Sequence, residues 1–127
     1  MKNYNIDIYN LMMDKVLPHI SGGIYSHNLP PNPNFNDPVL VIENDLFENI
    51  TTLDGNEPEL QIYNTRLTIL SKSTETNAII LDEIEKVINT YEDHNIREIV
   101  YTGTTSNSNL EEGIYIKTIN LTVTYSD

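Results

Sequence analysis

The sequence predicts an α+β fold: an antiparallel β-sheet of about four strands packed on one face by two α-helices. Two segments repeat apolar residues at helical spacing, and each is followed by two segments rich in β-branched and aromatic residues. The order therefore reads helix, strand, strand, helix, strand, strand. Strands that follow one another on either side of a helix favour antiparallel pairing with the helices gathered on one face. With 127 residues, a single domain over 1–127 is expected, long enough to bury one core.

Residues 4–20 read as the first helix, with Ile8, Leu11, Met12 and Val16 on one face, Asp7, Asn10 and Asp14 on the other, and Pro18 set to end or kink it. A stretch from Ile20 to Pro38 follows, rich in Pro, Asn and Gly, which reads as a loop with extended backbone. Loops beyond about 12 to 15 residues are uncommon in compact domains and are usually functional or disordered. "VLVIEND" (39–45) reads as a strand, and 46–58 as a second loop with a turn signal at Asp54 and Gly55. In "ELQIYNTRLTILSK" (59–72), Tyr63, Thr65, Leu67 and Ile69 share one face, while Leu60 and Ile62 take the other. That change of phase predicts a bulge or a strand covered on both faces.

Ser73 or Thr74 is placed to cap the second helix, 75–93, and Glu75 suits its positive end. Ile80, Ile84, Val87, Ile88 and Tyr91 form its apolar stripe against Asp82, Glu83, Glu85, Lys86 and Asn89. A turn at 93–95 leads to a strand at 96–103, a loop over 104–113 and a last strand at 114–126. In that strand Ile119, Leu121, Val123 and Tyr125 alternate with Thr118, Asn120, Thr122 and Thr124, the pattern of a half-buried antiparallel strand.

The composition excludes several functions. Seven basic residues against 19 acidic ones give a net charge of −12, and the basic residues are spread singly, so no groove for a phosphate backbone is expected. The absence of cysteine removes disulfides, thiolate metal sites and thiol nucleophiles, and fits synthesis in a cytosol. Asn5, Asp7, Asn10 and Asp14 interrupt what would have to be the core of a secretory signal, and no apolar run is long enough to span a membrane.

No chemistry-bearing pattern stands out. His19, His27 and His94 have no metal-ligand spacing, Asp82, Glu83 and Glu85 sit on the solvent side of a helix, and "SGG" (21–23) follows a helix instead of opening one. No catalytic residue, cofactor or metal is expected. Eight Tyr stand against two Phe and no Trp; Tyr63, Tyr101, Tyr115 and Tyr125 fall in strands, where a ring can pack while its hydroxyl reaches a partner.

The segments "LPPNPNFNDPVLVIE", "QIYNTRLTILSKS", "NAIILDEIEKVI" and "GIYIKTINLTVTYSD", in that order behind an N-terminal helix, resemble the tail terminator (tail completion) proteins of long-tailed bacteriophages and tail-like particles. The resemblance implies a non-enzymatic structural protein of virion assembly. Such proteins form a ring, commonly a hexameric ring, at the head-proximal end of the tail tube, where they end polymerisation and offer the head-joining surface. It implies as partners further copies of this chain, the tail tube protein and a head-tail connector or sheath protein, with DNA only passing through the lumen and no membrane. The location implied is the virion tail, after synthesis in the cytoplasm of a bacterial host.

On this reading the loop from Ile20 to Pro38 lies at a subunit or tube interface, with Tyr25, His27, Leu29, Pro30, Pro31 and Phe35 as candidates, joined by Tyr63 and Arg66 from the long strand. Six copies at −12 each make about −72, a charge that keeps passing DNA from adhering; Glu111 and Glu112 are the candidates to face the channel. Two alternatives stay open: a head-to-tail connector or stopper of similar size, and a small non-catalytic ligand-binding α+β domain with the long loop as a lid.

Overall fold

The computed structural model describes residues 7–29, 35–50, 60–91, 96–109 and 111–126. Helix α1 (Asp7–Lys15) is followed by β1 (Ile24–Ser26), β2 (Val39–Ile50), β3 (Leu60–Ser71), helix α2 (Thr74–Thr90), β4 (Ile96–Asn109) and β5 (Ile114–Ser126). The five strands form one sheet in the order β1-β2-β3-β5-β4, with every neighbouring pair antiparallel except β1 and β2. The architecture is the predicted α+β class with both helices on one face, and it has one strand more than expected.

The differences from the sequence reading have physical causes. α1 stops at Lys15, before Pro18, which occupies a 3-10 turn at Leu17–His19 because proline has no N–H for a helical bond; residues 4–6 of the expected helix lie outside the described residues. The stretch expected to hold no strand contains β1, whose three residues are too few for any alternation to register. β2 runs on to Ile50 where a loop was expected from 46, and β4 runs on to Asn109 where a loop was expected from 104. Both extensions are mostly exposed, so their backbone is held by pairing while their side chains carry no burial pattern. The turn signal at Asp54 and Gly55 and the turn at 93–95 lie outside the described residues.

The core forms where alternation and helical spacing meet. Leu40, Ile42, Tyr63, Leu67, Ile69, Ile119, Leu121 and Val123 point to one face of the sheet. Ile8, Met12 and Val16 of α1 and Ile80, Ile84, Val87 and Ile88 of α2 cover them. A smaller cluster of Phe35, Val39, Val41, Leu70 and Ile114 sits on the other face at one end of the sheet. The phase change in 59–72 is therefore resolved by covering both faces of β3 near Leu70. The one-residue bulge lies in the partner strand, at Phe47 between Leu46 and Glu48.

The passage from β3 into α2 is fixed by polar groups. Ser73 is the N-cap, its hydroxyl accepting from the Thr76 N–H at 3.3 Å. One turn later the buried Asn77 accepts the Ser71 hydroxyl at 2.7 Å and donates its amide to the Tyr115 carbonyl at 3.1 Å, tying helix, β3 and β5 together.

Two substitutions test this account in urea titrations. Leu67→Ala, at a side chain with no exposure, is expected to lose about 2 to 5 kcal/mol of stability. Asn77→Ala takes the amide donor from the Tyr115 carbonyl and one acceptor from the Ser71 hydroxyl, which keeps the Ser73 carbonyl at 2.8 Å, and is expected to lose about 1 to 3 kcal/mol. Losses below half a kcal/mol in either variant would contradict the packing described.

Candidate assembly surface

The loop between α1 and β2 is stitched shut at its base. The Gly22 N–H donates to the Pro38 carbonyl at 2.9 Å, the Leu40 N–H to the Gly23 carbonyl at 3.2 Å, and the Ser21 hydroxyl to the Asp37 carboxylate at 3.0 Å. Glycine is required at this closure. A Cβ on Gly22 would lie 2.6 Å from the Pro38 carbonyl oxygen, and Gly23 holds a φ of +96°. The closure holds the loop's two ends together, and the backbone turns to positive φ at His27 (66°) and Phe35 (57°).

The candidate interface residues divide by environment. His27 and Leu29 are exposed, and Tyr25 is half-buried, with its hydroxyl donating to the Gly22 carbonyl at 2.9 Å. Phe35 points inward and anchors the loop in the smaller apolar cluster. Tyr63 is buried in the main core, edge-on to Tyr125 with ring centroids 5.3 Å apart, and its hydroxyl donates to Gln61 at 2.9 Å. These two rings hold the surface in place from inside the chain. Pro30 and Pro31 lie outside the described residues.

Arg66 stands on the open face of the sheet with its guanidinium 3.9 Å from Glu43. The register places Glu43, Asp45, Glu48 and Glu98 on that face among Asn64, Thr118, Asn120, Thr122 and Thr124. The face is polar with mostly acidic charges, and among the described residues no helix covers it.

Glu111 and Glu112 are exposed in the turn that joins β4 to β5, where Gly113 takes a φ of +68°. The next residue, Ile114, belongs to the same cluster as Phe35 and Val39. The fold therefore brings the loop base and the acidic turn to one end of the sheet, while Tyr63 and Arg66 lie farther along it on opposite faces.

Concave features lie among the described residues. A groove of about 430 Å³ between the start of α2 and the β4–β5 arm is lined by Thr74, Asn77, Ser106, Ser108 and Lys117 among others; the Lys117 ammonium donates to the Ser106 hydroxyl at 2.9 Å. A second hollow between α1 and α2 holds Glu83, whose carboxylate is 3.0 Å from Lys86 and 3.4 Å from the His19 imidazole. The hydrogen bond from Lys86 holds the Glu83 carboxyl below its ordinary pKa. Among the described residues, no group of three or more His, Asp or Glu could hold a metal ion, and no helix is long and apolar enough to cross a membrane.

Sequence reasoning missed the exposed apolar residues at one end of the sheet edges: Leu46, Phe47 and Ile50 on β2, and Val100 and Tyr101 on β4. Phe47 is 66% exposed, at the bulge, and no periodic pattern marks such a position. Tyr101 donates its hydroxyl to Glu85 at 3.3 Å and so links β4 to α2; partial burial and the Glu85 charge push its phenol up to about 12.

No family model matches the chain, and no curated protein matches it in sequence. In three dimensions the chain is similar to one in the virion of a native gene transfer agent (GTA) particle, with a TM-score of 0.70 at 5% identity. The match covers 94% of this chain and 92% of that one, so the likeness is one of whole-length fold.

Two outcomes test the surface. Gly22→Ala forces the loop base apart and is expected to lower stability by about 1 to 3 kcal/mol, read as a lower melting temperature; an unchanged melt would contradict the closure. Because the Tyr101 pKa is raised in the fold, its neutral form is favoured, and that contribution is full below pH 10 and lost as pH rises through about 12. Glu85→Gln is expected to bring one tyrosine's absorbance transition down toward 10, and identical titration curves would contradict the Tyr101–Glu85 contact.

Proposed function

We propose that the protein is a structural component of a phage-like virion, and within it a tail terminator: a ring, of six copies on this reading, that closes the head-proximal end of a tail tube. The observation that carries the first part is the whole-length fold likeness to a chain of a gene transfer agent virion. The narrower role rests on the resemblance of the ordered segments to terminator proteins and on the form of the surface. Among the described residues one sheet face is covered by helices, the other is polar with mostly acidic charges, and the base of the long loop is braced at one end of the sheet.

In such a ring the loop from Ile20 to Pro38 meets a neighbouring copy or the tube through Tyr25, His27, Leu29, Pro30 and Pro31. Phe35 supports it from within, while Tyr63 in the core and Arg66 on the open face lie farther along the sheet. The acids able to face a channel are Glu111 and Glu112 in the β4–β5 turn and those of the open face; like charge keeps DNA moving through without binding. On this reading the role is mechanical.

Light scattering behind size exclusion, at low and high protein concentration and with negative-stain images of any large species, tests this reading. Closed rings of about six copies, or rings that form when tail tubes are added, are the expected result. A monomer at every concentration that also fails to bind tail tubes would contradict it and favour a ligand-binding domain.

A further inference from the structure

Among the described residues, both edges of the sheet lack a further strand over long stretches. β1 covers only Leu40, Val41 and Ile42 of β2, and the His27 N–H donates to the Ile42 carbonyl at 3.0 Å. Among the described residues no strand of the sheet lies beside that side of β2 beyond Ile42, and none lies beside the outer side of β4. An unpaired edge presents a row of N–H and C=O groups to any other strand. Natural proteins blunt such edges with charge, proline, brevity or bulges. β4 is 14 residues long, and from Val100 to Asn109 it carries no charge and no proline. Its two irregularities lie at or before Gly103, which leaves the rest as a regular template.

The two edges suit each other. β2, β3, β5 and β4 alternate in direction, so β4 runs opposite to β2. A rotation that carries one copy to the next therefore sets the β4 of one against the β2 of the other as an antiparallel pair, with no reversal of the sheet. They also match in height: Asp45, Asn64, Thr122 and Val100 form one row across the sheet. Exposed apolar side chains lie near this row on both edges, Leu46 and Phe47 on β2 and Val100 and Tyr101 on β4, while Ile50 lies four rows farther along beside Leu60.

We infer that the occupant of the β4 edge is the β2 edge, Glu43–Ile50, of a second copy of this chain, so that the sheets of successive copies join edge to edge. The contact is heterologous, using two different surfaces, and such a contact closes into a ring when its rotation divides a full turn. The inference builds on the ring reading and names the contact that would make it. It also accounts for Phe47: at the bulge its ring stands off the parent sheet, where it would be shielded by a neighbour's Val100 and Tyr101.

The chain has no cysteine, so introduced pairs report without background. Residues opposite one another in an antiparallel pair have Cβ atoms about 4.5 to 5.5 Å apart, near disulfide range. Asp45→Cys is combined in turn with Glu98→Cys, Val100→Cys and Thr105→Cys, three open-face positions that sample neighbouring registers. Assembled rings, alone or on tail tubes, are oxidised and run under denaturing conditions without reductant.

At least one combination is expected to give a ladder of cross-linked species up to the full ring, with none from the single variants. Rings that form normally but give no ladder with any combination would overturn the edge contact and leave the ring reading standing. A dimer from Val100→Cys alone would overturn it in favour of two-fold pairing between β4 strands. Chains that never assemble, alone or on tubes, would overturn both.

Discussion

The structure depends on the uninterrupted antiparallel ladder between β3 and β5, which pairs every residue from Leu60 with Ser126 to Ser71 with Tyr115. Because side chains alternate with period two, this register decides at once which residues of both strands form the core and which face outward. It places Leu67 beside Ile119, Thr65 beside Leu121 and Tyr63 beside Val123 on the helix side, and Asn64, Arg66 and Thr68 beside the threonines and Asn120 of β5 on the other. A slip of one residue would bury the polar set. The helices need this apolar surface to cover, and the loops need the strand ends it fixes.

From that ladder follows a molecule of one sheet and one helical layer. Only one face of the central strands is apolar along its length, so one layer of helices satisfies it. The second face is left to water except at one end, where Phe35 closes the smaller cluster and brings the base of the long loop onto the sheet. The same geometry leaves β2 and β4 with open sides.

Much of this was legible in the residues because burial leaves a period behind it. The stripe of α2, the alternation of β5 and the order of elements each carry the imprint of the core, and the structure places them accordingly. What the sequence concealed lies where side chains are not buried. β1 is three residues long, and the outer halves of β2 and β4 are held by backbone pairing, so Glu48 or Asn107 has no pattern to reveal it as strand. The surface was half legible for the same reason. The composition of the loop marked it out, yet it could not tell that Phe35 turns inward; the alternation with Leu67 and Ile69 pointed Tyr63 to the core, and nothing distinguished Phe47 as an exposed ring.

The central claim is that this chain is built to be completed by others through its open edges. Amide hydrogen exchange, read by mass spectrometry on the chain before and after assembly, addresses it most directly because it reports backbone pairing instead of side-chain proximity. The account predicts strong new protection in 97–109 and 43–50, with β3 and β5 already slow in both states. Assembly that leaves both edges exchanging as fast as in the free chain would contradict it.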